Sequence, residues 1–212
     1  MIKNTLKEFI DKGFKKLHLG CGTDYKNGYI NIDFPPDNIQ IRTKQPDILC
    51  DFTKLDFPQN FFQEILLKHV FEHFQRHIAI SLLCKWYYML ENNKLLIIAV
   101  PDFEQGVFEY INGNNKRKKE MIRHLYGSHH ADWAVHCEGW DKNNLKEILE
   151  CCGFKTKSII QSKGQWPELL ISSEKIKENP NINKIKEYIL PMSYNNTKLL
   201  NLWIETIQKE IK

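Results

Sequence analysis

Apolar positions in this chain cluster in short runs bounded by glycine, proline and asparagine, and between those runs they recur at helical spacing. Leu6, Phe9 and Ile10 share one face of an opening helix, which Gly13 ends before a first strand at 15–19. Tyr29-Ile30-Asn31-Ile32-Asp33 is a second strand, stopped by Phe34-Pro35-Pro36, since proline offers no ladder donor and restricts its predecessor. A short third strand is expected at 47–51, and a fourth within 61–70 around Ile65-Leu66-Leu67. Ile80, Leu83, Trp86, Tyr87 and Leu90 then keep helical spacing, and Asn92-Asn93 is expected to separate that helix from a buried strand at 95–100.

Beyond Pro101 the pattern predicts a helical stretch over 108–125 and a loop crowded with His129, His130, Trp133, His136 and Trp140. Asp141 is placed to cap a helix through Leu145, Ile148 and Leu149 that Gly153 ends, and final strands follow near 157–161 and 168–172. Short strands alternating with helices predict an α/β fold with a mostly parallel seven-stranded sheet covered by helices on both faces. From Glu178 onward the composition turns to Asn and Lys, and Leu200, Trp203, Ile204, Ile207 and Ile211 make an amphipathic stripe. The expected organisation is one domain over 1–176 with a C-terminal helical extension over 177–212 packed on it, not on a partner.

The first strand runs into Leu19-Gly20-Cys21-Gly22-Thr23, and the second ends on Asp33. Glycines let the backbone turn with positive φ and let a ligand touch the main chain, while an acid at the next strand's tip can accept two ribose hydroxyls. The pairing suggests a pocket for an adenosine-containing cofactor; the plainer reading is a turn that needs glycine for geometry alone. Asp51 falls at the same sheet edge. Thr23-Asp24 stands where a dinucleotide fingerprint would carry a third glycine, which argues against nicotinamide or flavin dinucleotides.

Composition changes this picture little. The 212 residues suffice for a substantial core without disulfides or metal, and 30 Lys and Arg against 26 Asp and Glu demand no general nucleic-acid surface. Cys21, Cys50, Cys84, Cys137, Cys151 and Cys152 contain no Cys-x-x-Cys pair and read as reduced thiols. The first sixteen residues hold no uninterrupted apolar stretch, so neither a signal peptide nor a membrane span is expected, and a cytoplasmic protein is.

The ordered pieces resemble the class I, Rossmann-like S-adenosylmethionine-dependent methyltransferases, especially those of type 11, over 15–174. The carriers are Leu17-His18-Leu19-Gly20-Cys21-Gly22-Thr23, Gly28-Tyr29-Ile30-Asn31-Ile32-Asp33, Asp51-Phe52-Thr53-Lys54-Leu55, His69-Val70-Phe71-Glu72-His73-Phe74 and the strand ending at Pro101. The resemblance implies that Leu19, Gly20, Cys21, Gly22, Asp33, Asp51, Phe52 and His69 hold S-adenosylmethionine, with Gly20 and Gly22 beside the methionine part, Asp33 on the ribose and Asp51 on the adenine amino group. S-adenosylhomocysteine is the implied product. His18 departs from the pattern, because many members carry an acid before the glycines.

Methyl transfer from a sulfonium is an in-line displacement, so such an enzyme positions the acceptor and can deprotonate it. His69 is the first candidate base; Glu72 and His73 follow, with a helix-start pair in structural hydrogen bonds as their alternative, and His136 can enter from the other side or be an ordinary loop histidine. His129, His130, Asp132, His136 and Cys137 have the chemistry of metal ligands, but their spacing matches no closed site, and no metal is expected. Lys116-Arg117-Lys118-Lys119 reads as a solvated helix start or as a contact for an acceptor's phosphate. The implied acceptor is a small molecule, foremost an oxygen of a sugar, a phosphorylated metabolite or a surface-glycan precursor, as in polysaccharide biosynthesis. The alternatives are a nucleic-acid methyltransferase, disfavoured because no Asn-Pro-Pro-Tyr or Asp-Pro-Pro-Tyr follows the fourth strand, and a non-catalytic cofactor-binding partner protein. A monomer and a homodimer both stay open.

Overall fold

A computed structural model describes residues 2–35 and 44–211. Its strands are β1 (Lys16–Leu19), β2 (Ile30–Asp33), β3 (Ile48–Leu49), β4 (Phe62–Lys68), β5 (Leu90–Pro101), β6 (Phe154–Ser162) and β7 (Glu168–Lys175). They form one sheet in the order β3-β2-β1-β4-β5-β7-β6. The first five run parallel, while β7 is antiparallel to both β5 and β6, so the sheet is mixed with one reversed strand. Leu17, His18 and Leu19 are all fully buried, and so are Ile30, Asn31 and Ile32, so the central strands are covered on both faces.

The helices are α1 (Ile2–Asp11), α2 (Arg76–Met89), α3 (Phe103–Asn112), α4 (Asn115–Tyr126), α5 (Lys142–Cys151), α6 (Ile182–Ile189) and α7 (Thr197–Gln208). Asp141 caps α5 by accepting from the amides of Asn143 and Asn144, and Gly153 ends it at φ +84°. Helix α7 lies along α2 and α6 against α5; Ile185, Ile189, Leu200 and Ile207 join the same hydrophobic core as the sheet.

Four expectations need correction. Asn92-Asn93 does not break the chain: β5 starts straight after α2, and the asparagines sit where Leu90 pairs with Phe62 and Leu95 with Glu64, an irregularity that Asn93 absorbs at φ +61°. The helical stretch over 108–125 is two helices, divided at Gly113-Asn114, with Asn114 capping α4 through the Arg117 amide. The third strand shrinks to two residues, since Asp51 turns to cap a short 3-10 turn at Phe52–Lys54. Glu72 and His73 do not begin α2; they lie on a separate 3-10 turn, Phe71–His73. Pro36, expected to help stop β2, lies outside the described residues.

The chain leaves β1 for β2 and β3 on one side, then returns to place β4 and β5 on the other. The carboxyl ends of β1 and β4 therefore flank the point where strand order reverses, where open α/β sheets leave a crevice for ligands.

Candidate active site

Gly20 and Gly22 follow β1 at φ +67° and +52°, and Gly20 is tied to β2 by its amide, 2.8 Å from the Ile32 carbonyl. A Cβ on Gly20 would stand 2.4 Å from Val70 Cγ2, so glycine is required there by contact as well as conformation. A Cβ on Gly22 would meet nothing within 4 Å and would project into open space. Both glycines line a cavity of about 420 Å³, together with His18, Cys21, Asp24, Asp33, Asp51, Phe52, His69 and Phe74, among others.

The acids arrive as the strand ends dictate. Asp33 closes β2 and accepts from the Phe34 amide at 2.9 Å; Asp51 accepts from the Thr53 amide and hydroxyl at 3.1 and 2.6 Å and pairs with Lys54 at 3.1 Å. Burial raises the Asp51 carboxyl, but the Thr53 and Lys54 contacts outweigh it and the pKa falls. His18 is fully buried in the cavity wall, with no hydrogen-bond partner for either ring nitrogen. Burial pushes its pKa down to about 4, so the ring is neutral near neutral pH. Beside it Asp24 pairs with Lys26 at 2.8 Å and Lys68 at 3.1 Å; its hydrogen bond to Lys26 is the largest cause of its lowered pKa. Leu19 is fully buried and does not line the cavity, so its side chain belongs to the core.

A second cavity, about 350 Å³, adjoins the first, and the two share His69, His73 and Trp133. All four candidate catalytic residues, His69, Glu72, His73 and His136, line it. His69 leaves β4 at φ +53°, uncommon for a residue with a side chain, while its amide still pairs with the Ala99 carbonyl at 2.8 Å. Its Nε2 lies 2.7 Å from Glu168 Oε2 and its Nδ1 3.7 Å from Glu72 Oε1. Glu72 first, then Glu168, favour the protonated ring over the opposing cost of burial, and the His69 pKa rises.

The loop carrying His136 is fastened to the same turn: the Cys137 amide donates to the Glu72 carbonyl at 2.8 Å, and Arg76 pairs with Glu138 at 2.6 Å. His73 Nδ1 lies 3.0 Å from the Val135 carbonyl, and the His73 and His136 rings stand 4.9 Å apart. Burial lowers the His136 pKa, with the Glu72 carboxylate partly opposing it. His129, Asp132 and Cys137 line neither cavity, while His130 lines the second. Arg117 is held by Glu109 and Glu120 on its own helical hairpin, whereas Arg123, exposed, reaches the second cavity.

Trp133 belongs to the crowded loop that the sequence marked, whereas Glu168 was not singled out. Glu168 starts an ordinary amphipathic strand and meets His69 across 99 positions, so no local pattern marks it. Asp24 had a signal, an acid two residues past the glycine turn.

The fold matches many solved proteins. Among them, a methyltransferase from Archaeoglobus fulgidus aligns with 82% of this chain and 93% of its own at 16% identity and a TM-score of 0.51. A Methanosarcina mazei S-adenosylmethionine-dependent methyltransferase aligns with 77% and 92% at 13% identity and a TM-score of 0.52. This is the class I methyltransferase fold. A third example, Burkholderia thailandensis 1,6-didemethyltoxoflavin-N1-methyltransferase with 1,6-didemethyltoxoflavin and S-adenosylhomocysteine bound, aligns with 82% and 76% at 12% identity and a TM-score of 0.51. No family model matches the chain, and no curated protein matches it by sequence. Among the described residues, no helix is long and apolar enough to cross a membrane.

Proposed function

We propose that the protein is an S-adenosylmethionine-dependent methyltransferase acting on a small molecule. The observation that carries this reading is the pair of adjoining cavities: one lined by the glycine turn and two strand-tip acids, the other by histidines, with His69 and His73 in the shared wall. Methyl transfer needs donor and acceptor in line across one boundary, each held by its own contacts.

The first cavity suits the donor. Its volume lies in the range of ligand sites, Phe52 and Phe74 offer apolar walls, and Asp33 and Asp51 offer acceptors to ribose hydroxyls and to an amino group. His18 supports the fit through its orphaned ring nitrogens. A neutral imidazole can accept an N–H where relatives carry an acid, and Asp24 supplies the carboxylate charge for the ammonium of a methionine moiety. When bound, S-adenosylmethionine supplies an electrophilic methyl carbon.

On the acceptor side, His69 takes the proton from the attacking group, and Glu72 and Glu168 stabilise the imidazolium it becomes. Trp133 and Trp166 wall the cavity with aromatic surface, and Arg123 places a guanidinium at its edge. These features suit an acceptor with a ring and an anionic group, such as a phosphorylated or sugar-linked hydroxyl compound. A cavity of about 350 Å³ suits such a molecule better than a nucleic-acid strand.

Calorimetric titration with S-adenosylmethionine and S-adenosylhomocysteine tests the donor assignment: one-to-one binding of both is expected, and binding of neither overturns the reading. A turnover assay over phosphorylated and sugar-linked hydroxyl compounds tests the acceptor class.

A further inference from the structure

We propose that Glu72, His73 and His136 form a binding site for one divalent first-row transition ion, open toward the second cavity. One donor atom from each residue lies within 4.8 Å of the others, and the donor set is two imidazoles and one carboxylate. Zinc and non-haem iron sites that keep an exchangeable position use this set.

Two further observations point to a ligand. Glu72 is only 2% exposed, and neither of its carboxylate oxygens accepts a hydrogen bond. His69 and His136 stand 3.7 and 3.9 Å from Oε1, beyond hydrogen-bond distance, so the buried carboxylate keeps acceptor capacity that a cation within the cluster would meet. His73 has its Nδ1 3.0 Å from the Val135 carbonyl, an acceptor only, so Nδ1 carries the proton and Nε2 keeps its lone pair. Fixing one ring nitrogen on a backbone carbonyl is how metal-bound histidines are commonly oriented.

Tetrahedral bonds of about 2.0–2.2 Å place donors about 3.3–3.6 Å apart. His136 Nε2 lies 3.9 Å from Glu72 Oε1, so binding an ion would draw the donors together. Backbone bonds from the 136–138 loop to the Glu72 carbonyl hold the two contributing segments together without the ion. The spacing along the chain hides the site, because His136 joins a pair of residues more than sixty positions earlier, and its histidine-rich neighbours take no part. Resting on the methyltransferase reading, the site gains a role: an ion here faces the acceptor cavity and can hold an acceptor oxygen beside His69.

The test uses the full chain, stripped with a chelator and titrated with Zn²⁺ by calorimetry, with Co²⁺ absorption as a second readout. One equivalent is expected to bind, and Glu72→Gln and His136→Asn are each expected to weaken binding by roughly a hundredfold or more. His130→Ala, which removes an exposed histidine of the same cavity, is expected to leave the affinity unchanged. Should Glu72→Gln fail to fold, His136→Asn decides alone. Absence of a tight equivalent, or binding that survives His136→Asn, overturns the proposal. The same samples are titrated with S-adenosylhomocysteine: binding of that compound without zinc overturns only the metal site, and zinc without that compound overturns only the methyltransferase reading.

Discussion

The two cavities are built by different means. The first cavity, the proposed donor side, comes from the carboxyl ends of neighbouring strands: Gly20 and Gly22 after β1, Asp33 ending β2 and Asp51 just past β3. Each is announced by its own strand, so a glycine turn and two tip acids can be read along the chain. The second cavity, the proposed acceptor side, is assembled from distant segments, with Glu168 reaching His69 over 99 positions and Val135 reaching His73 over 62. The fold fixes where a class I enzyme keeps its donor, while loops between later elements decide what meets it.

If the two sides are separable, variants should split binding from turnover. The largest effect is expected from His69→Gln, which should cut turnover by roughly a hundred- to ten-thousandfold while S-adenosylhomocysteine affinity changes far less. Single-turnover kinetics beside calorimetry checks this; equal losses in both would merge the two sides.

Next is the acid response of the donor wall. The folded pKa of His18 is about 4 against 6.5 unfolded, so between those values the unfolded chain binds more protons. This contribution to stability is present above pH 6.5 and lost as pH falls toward 4, on the order of 3 kcal/mol. Urea unfolding across that range should show a shallower pH dependence in His18→Asn than in the parent. An unchanged slope would mean that His18 is not held neutral by burial.

Asp33→Ala should weaken S-adenosylhomocysteine roughly ten- to a hundredfold, about 1.4 kcal/mol per tenfold, and leave Zn²⁺ affinity intact. Unaltered affinity for the nucleoside would remove Asp33 from the ribose. Smallest is Gly20→Ala, with about 1–2 kcal/mol of destabilisation from the left-handed backbone, to which the Val70 contact adds. Chemical denaturation measures it, and a neutral result would mean the turn relaxes without cost.

The same contrast explains how far the sequence could be read. Strands β1, β2, β4 and β5 were legible because parallel central strands are short apolar runs between turn residues. Asn92-Asn93 misled because asparagines usually end elements, whereas here an irregularity beside a parallel neighbour accommodates them inside β5. Leu19 was assigned to the cofactor through the resemblance, and its side chain lies in the core. His69, Glu72 and His73 stood out by type and place, but their company did not: Glu168 looks like any strand start, and His136 was one histidine among several. Long-range convergence leaves no local period to detect.

The central claim is that the cavity at the β1 and β4 ends holds the methyl donor against the wall formed by His69 and His73. A crystal structure with S-adenosylhomocysteine tests it most directly. The account predicts the ribose on Asp33, the amino-acid end beside Gly20, Gly22 and His18, and the sulfur facing the second cavity across the shared wall. A nucleoside bound elsewhere, or a sulfur turned away from His69 and His73, would contradict it.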